Sequence, residues 1–343
     1  MDIYEYLNKR NILREMSDEQ FELFLPEFCH ALEQYTFKQL LSDYNNNLTN
    51  SPKDWTNLKN KLIDKNYISS TSVVGMNIIK RVMPHIYDVK NYKGKHISGL
   101  WNAEIIKKVI IVNRKSHSTP YVSEIIRQVG FVAGTSKVTI YRPLLTKRIV
   151  QYFAATNILD VCVGWGGRML GSVCIDGVSY TGIEPYSKTF VGLENIKREL
   201  NLSNEQVSLY NDTAENVLPT LKRKYDLAIT SPPYYNLEVY ADEATQSHNY
   251  GTYENWTKQF LTPVVEGVLD KLVDGGKSCW SVKNFKTDKS YNLYDDIVAI
   301  HKNNGWEKMD TEFYVGNCLR PGLKNNDGKA KKSKEITYVF CKI

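Results

Sequence analysis

Ile158-Leu-Asp-Val-Cys162-Val-Gly164-Trp-Gly166-Gly167-Arg168 is the stretch on which the fold turns. An apolar run leads into a glycine-rich turn, and the turn opens onto a helix-compatible stretch, residues 169–173. Glycine lets a backbone turn sharply and pass close to a ligand. Alone, the turn also fits a tight strand-to-helix connection with no ligand. The Gly-Lys-Ser/Thr ending of a P-loop is absent. The next strand candidate, Tyr180-Thr-Gly-Ile-Glu184, ends 24 residues after Asp160. An acidic residue at about that distance is where a ribose hydroxyl needs an acceptor. A third, Val207-Ser-Leu-Tyr210, runs into Asn211-Asp212. Those side chains could meet an adenine ring, or cap the helix that follows.

Working outward, further strand candidates lie at 225–230, 277–282 and 336–341, with helical stretches at 188–200 and 255–272. Strands alternating with helices predict an α/β fold, a doubly wound and mostly parallel sheet. Ligands of such sheets bind outside the C-terminal strand ends, so chemistry is expected just after each strand. Before residue 130 the pattern changes. Phe21, Phe24, Leu25 and Phe28 mark one amphipathic helix, and Trp55, Leu58, Leu62 and Ile63 a second. Ile105, Ile106, Val109 and Ile110 mark a third, and Val122, Ile125, Ile126 and Val129 a fourth. The chain of 343 residues is therefore expected to divide into a mainly helical region, 1–130, and an α/β domain, 131–343.

The formal net charge of +6 hides an uneven distribution. Residues 1–50 hold four basic against nine acidic side chains, 51–130 fourteen against five, and 320–343 seven against two. Lys80-Arg81, Lys107-Lys108 and Arg114-Lys115 sit beside apolar helix faces, and Lys329-Ala-Lys-Lys-Ser-Lys334 forms a late basic run. Such groups suit contacts to a phosphate backbone, and each also suits an ordinary solvated face. The six cysteines include no C-x-x-C pair. That spacing argues against a zinc site or a disulfide framework, and no metal is expected. With no signal-peptide pattern and no membrane-length apolar run, a cytoplasmic location is expected.

The fourth strand candidate ends Leu227-Ala-Ile-Thr-Ser231-Pro232-Pro233-Tyr234-Tyr235. Two prolines lack N–H donors, so they fix the backbone and leave carbonyls pointing outward. A polar residue before them and an aromatic after them make a small site with two acceptors and a stacking face. Ser-Pro-Pro-Tyr after a hydrophobic strand, following a D-x-C-x-G-x-G turn, resembles the S-adenosylmethionine-dependent amino-methyltransferases that modify DNA. Their motif is (Asp/Asn/Ser)-Pro-Pro-(Tyr/Phe). Here the order is glycine turn first, with 64 positions from Gly167 to Ser231, and the resemblance covers roughly 135–343.

The resemblance implies a Rossmann-like class I methyltransferase fold and S-adenosylmethionine as cofactor. Asp160, Cys162, Gly164 and Gly166 would hold its methionine part, Glu184 its ribose and Asp212 its adenine. Tyr141-Arg-Pro143, with Thr146 and Lys147 a turn on, resembles a further cofactor-contacting segment. Val161 departs from the family, which often has proline there. Ser231, Pro232, Pro233 and Tyr234 would form the catalytic motif. Ser231 Oγ and the Pro232 carbonyl would accept the hydrogens of an exocyclic amino group, and Tyr234 would stack on the base. The loop that follows, with Tyr235, Asn236, Glu238, Gln246 and His248, is expected to cover or touch the base. Lys107 and Lys108 are expected on the duplex backbone. Serine before Pro-Pro favours N4-cytosine over N6-adenine. Duplex DNA, with the base flipped out, is the expected partner. The alternatives are an RNA base amino-methyltransferase and a catalytically inert nucleic-acid-binding protein.

Overall fold

A computed structural model describes residues 1–46, 51–63, 72–116, 119–135, 138–324 and 330–343, with side chains at all of these except 46, 51, 316–324 and 330–334. The basic run at 329–334 thus lies outside the described side chains, as does Cys318. The chain forms two compact units, one of Met1–Thr49, Pro84–Val138 and Arg320–Lys331, the other of Asn50–Met83, Thr139–Leu319 and Lys332–Ile343. Residues 50–83, placed with the helical region by their periodicity, therefore belong to the α/β unit.

The α/β unit is built on a seven-stranded sheet. Its strands are β1 (Asn157–Asp160), β2 (Ser179–Ile183), β3 (Val207–Tyr210), β4 (Tyr225–Thr230), β5 (Leu272–Val282), β6 (Trp306–Lys324) and β7 (Ala330–Lys342). They stand in the order 6-7-5-4-1-2-3. β1 runs parallel to β2 and β4, β2 to β3, and β4 to β5, while β7 is antiparallel to β5. The central strands are apolar because both faces are covered: Ile158, Leu159, Leu227, Ile229, Cys279 and Val339 are all fully buried. Right-handed crossovers put the helices Gly167–Val173 and Ser187–Glu199 on one face and Thr262–Lys271 and Leu293–Asn303 on the other.

From β1 the chain winds outward to β2 and β3. It then returns to lay β4 on β1's other side, pairing Ile158 with Leu227 and Leu159 with Ala228. That reversal opens a crevice at the C-terminal ends of β1 and β4. Two motifs 64 positions apart in sequence thus leave neighbouring strands at the same edge of the sheet.

Segment 50–83 is fastened to this unit by Lys147. Its buried Nζ donates to the carbonyls of Leu58, Lys59 and Lys61 at 2.9, 2.7 and 2.9 Å, closing the C-terminal end of the helix Ser51–Asn60. Arg81 pairs with Glu199, and the Met83 side chain lies where Gly192 leaves room. Lys147 is therefore spent on a helix end, and Lys80 and Arg81 are partly buried rather than displayed.

The helical unit packs the apolar stripes read from the sequence. Phe21, Phe24, Leu25 and Phe28 of Asp18–Glu33 meet Ile106, Val109 and Ile110 of Ala103–Ser116 and Val122, Ile125, Ile126 and Val129 of Val122–Val132 in one core. A Ser17–Gln20 capping box starts the first of these helices. Arg114 is tied to Asp18 at 2.9 Å and to the Met16 carbonyl at 3.0 Å, with its guanidinium 4.2 Å from the centre of the Phe21 ring.

Candidate active site

Asp160 ends β1 fully buried, and its carboxylate is filled from within the protein. Oδ1 accepts from the Cys162 amide (3.2 Å) and Arg168 Nη2 (3.2 Å), and Oδ2 from Arg168 Nε (2.7 Å) and the Tyr180 hydroxyl (2.7 Å). Four donors occupy the four lone-pair directions of a carboxylate. Asp160 in this arrangement braces the turn and has no acceptor left for a ligand, so the direct contact expected of it is not formed. Burial alone would lower the Arg168 guanidinium, but Asp160 beside it holds it above its ordinary value. Arg168 also donates to the Cys162 and Val163 carbonyls, which sets the path of the glycine turn.

Gly164 and Gly166 have φ of +56° and +80°, the left-handed region that suits glycine. A side chain at Gly164 would meet only the Cys162 carbonyl, at 4.0 Å, so the backbone there faces open space. Gly167 is different, because a Cβ on it would lie 1.9 Å from the Tyr141 carbonyl oxygen. Four residues on, a Cβ at Gly171 would lie 2.1 Å from the Pro143 carbonyl. Tyr141 and Pro143 thus form the wall against which this helix packs. The Tyr141 hydroxyl meets Thr337 Oγ1 at 2.7 Å, its ring lies 5.3 Å from the Arg168 guanidinium, and burial pushes its hydroxyl up to about 12. Pro143 is buried in the first turn of its helix. The expected contacts of these two residues with a ligand are replaced by contacts with the turn's own scaffold.

Glu184, at the end of β2, is 7% exposed and reaches back to the glycine turn. Its Oε2 accepts from the Gly164 amide at 2.7 Å and its Oε1 from the Tyr186 amide at 2.9 Å. Burial raises its carboxyl to about 7, against the lowering effect of those two amides. Beyond β3, Asp212 Oδ1 accepts from the Thr213 amide (2.7 Å) and Asn216 Nδ2 (2.9 Å), while Asn211 Nδ2 donates to the Glu184 carbonyl (2.9 Å). Cys162 is partly buried at the edge of this acidic row. Burial, then Asp160, Glu184 and Glu215, raise its thiol, against the lowering effect of Arg168.

At the end of β4, Ser231 and Tyr234 are half-buried and Pro232 is buried. Ser231 Oγ donates to the Ser281 carbonyl on β5 at 3.2 Å. The Ser281 hydroxyl in turn meets Thr337 Oγ1 at 2.5 Å, so the motif is tied through β5 and β7 to Tyr141. With its proton committed to Ser281, Ser231 Oγ keeps lone pairs to offer. Pro233, half-buried, carries the rigid turn on to Tyr234, whose ring meets Phe285 edge-on at 5.3 Å.

Tyr235, expected to touch a base, is 7% exposed, with φ +45°. Its ring packs on Tyr253, Trp256 and Tyr291, and its hydroxyl donates to the Gly251 carbonyl at 2.5 Å. It anchors the loop from below. Asn236 Oδ1 accepts a long bond, 3.4 Å, from Thr287. Lys107 and Lys108 lie in the helical unit, both exposed, and Lys108 pairs with Glu104 on its own helix. Arg168, Glu215 and Tyr240 are residues of the site that no sequence pattern singled out. Arg168 lies in the quoted turn itself, eight positions after its partner.

No family model matches the chain, and no curated protein sequence does. Among solved structures it is similar to an S-adenosylmethionine-dependent methyltransferase from Clostridium acetobutylicum, at 13% identity over 60% of this chain and 92% of that one, with a TM-score of 0.39. It is also similar to an rRNA methylase from Streptococcus thermophilus (13% identity, 60% and 99%, TM-score 0.36). A third is precorrin 8W decarboxylase from Methanobacterium thermoautotrophicum (14%, 58% and 89%, TM-score 0.38). Likenesses at this level assign no activity. The parallel sheet wound both ways from β1, with its antiparallel strand inserted next to the edge, is itself that of a Rossmann-like class I methyltransferase fold.

Proposed function

We propose that the chain transfers a methyl group from S-adenosylmethionine to the exocyclic amino group of a base in DNA, N4 of cytosine ahead of N6 of adenine. The observation that carries this reading is Ser231. Its Oγ–H is taken up by the Ser281 carbonyl, which leaves an acceptor beside the rigid Pro232 carbonyl, at the sheet's reversal point and next to the glycine turn.

The residues fit the cofactor. The open space at Gly164 admits a ligand against the backbone, and Glu184 stands over it at the end of β2. Gly164, Gly166, Cys162 and Glu184 would hold the cofactor's methionine and ribose parts, with Asp160 and Arg168 holding the turn in shape. When bound, S-adenosylmethionine supplies a methyl carbon on a sulfonium, whose bond to sulfur breaks as the amino nitrogen's lone pair takes the carbon. That lone pair is delocalised into the ring of a free base. Ser231 Oγ and the Pro232 carbonyl, each accepting one amino hydrogen, favour the tetrahedral nitrogen that releases it. Tyr234 stacks on the base, a contact worth about 1–3 kcal/mol. The work is positioning and electrostatic fit at the transition state. A paired base cannot enter such a pocket, so a duplex substrate must present its base flipped out.

Ser231→Ala tests the role directly. Turnover should fall about 100-fold or more, the scale for removing one hydrogen-bonding group from a reacting centre, while cofactor affinity changes little. Equal loss of both, measured by methyl transfer and by calorimetry, would contradict the assignment.

A further inference from the structure

Asp212 is the acidic residue that chain order offers to an adenine ring, but its Oδ1 is already engaged in starting the helix Ala214–Val217. Glu215, on that helix, is placed differently. The Tyr250 hydroxyl donates to its Oε1, while its Oε2 is buried with no hydrogen-bond partner among the described residues. A buried acceptor left unsatisfied costs about 1–3 kcal/mol, so this position calls for a donor. The carboxylate lies close enough to Cys162 to act on its thiol together with Asp160 and Glu184, which places it on the crevice where the glycine turn opens.

The segment that carries Tyr250 supports the same location. After the Pro-Pro motif the chain is held to the β2 and β3 end of the sheet. Glu243 accepts from the Ser187 amide at 3.2 Å, Thr245 Oγ1 reaches the Pro185 carbonyl at 3.5 Å, and the Tyr240 ring lies 6.3 Å from that of Trp165. These ties run to the Glu184 side of the crevice, away from Ser231. A loop expected from sequence to cover the base therefore closes the other half of the site.

We propose that Glu215, held in place by Tyr250, accepts the exocyclic amino group of the cofactor's adenine and thereby selects a 6-amino over a 6-oxo purine. The inference deepens the methyltransferase reading and rests on it. A carboxylate oxygen complements the amino donor and opposes a carbonyl oxygen at the same ring position, so discrimination should be large for a single contact.

Calorimetry on the full chain, with S-adenosylhomocysteine and its 6-oxo counterpart S-inosylhomocysteine as probes, tests it. The wild-type chain should prefer the adenine form by about 10- to 100-fold, the range for a hydrogen bond to a charged group. Glu215→Gln should lose most of that preference, because its amide can turn a donor toward the 6-oxo group. Tyr250→Phe, which removes only a hydroxyl, should lose part of it, and Asp212→Asn should keep it. Full preference retained in both Glu215→Gln and Tyr250→Phe, or abolished in Asp212→Asn, would overturn the assignment. Binding of S-adenosylhomocysteine with no such preference in the wild-type chain would overturn this inference alone. Binding of neither probe would overturn the cofactor reading as well.

Discussion

Glu184 couples the cofactor end of the site to pH. Its carboxyl is raised by burial to about 7 from an unperturbed 4.5. An acid with a raised folded-state pKa holds its proton longer when folded, so it favours the folded state at low pH. That advantage is lost as pH climbs from about 4.5 to about 7. The stability of wild type relative to Glu184→Gln should therefore fall across this window, by an amount on the order of 3 kcal/mol. Denaturant titrations of both chains at pH 5 and pH 8 would show it, and an unchanged difference would mean that Glu184 is not held as described. Glu184 was legible because it stands at a fixed distance beyond a glycine turn. Arg168 was not, because a lone arginine at the start of a helix gives no sign that it turns back to fill a buried aspartate. Tyr235 shows the converse: an aromatic after a motif reads as a ligand contact, and only packing reveals it as part of the core.

At the scale of elements, the contact between the helix Gly167–Val173 and the residues before the helix Pro143–Tyr152 sets the glycine turn. A Cβ at Gly167 would come within 1.9 Å of a backbone carbonyl that has no flexible side chain to yield. Gly167→Ala should destabilise the chain by about 1–3 kcal/mol or more, read as a lower denaturant midpoint. A neutral result would show that the two segments can separate without cost. The buried strands β1, β2, β4 and β5 could be read in the sequence because a short apolar run bounded by helical stretches suits a covered strand better than any surface element. β6 could not. Trp306-Glu-Lys-Met-Asp-Thr-Glu-Phe313 is dominated by charge, as suits a sheet edge protected from pairing with other chains. Segment 50–83 was misplaced for a related reason. Its tie to the α/β unit is the Lys147 ammonium on carbonyls more than 80 positions away, a link no local pattern displays.

For the whole molecule, the question is how a polyanion is held while one base is presented at Ser231. Of the charge pairs marked in sequence, Arg114 is bound to Asp18 and Arg81 to Glu199, and Lys108 faces Glu104. Lys107 is exposed, which makes it the best single probe of backbone contact. Lys107→Glu should flatten the dependence of DNA affinity on salt, by close to one unit of log–log slope for each phosphate that the side chain no longer neutralises. An unaltered slope would move the DNA path elsewhere. No helix among the described residues is long and apolar enough to cross a membrane. The most direct test of the central claim is transfer of labelled methyl from S-adenosylmethionine to mixed-sequence duplex DNA, followed by nucleoside analysis of the product. The account predicts label in N4-methylcytosine. N6-methyladenine would keep the mechanism and overturn the base preference, and absence of label from DNA, in RNA or in no polymer at all, would contradict the claim itself.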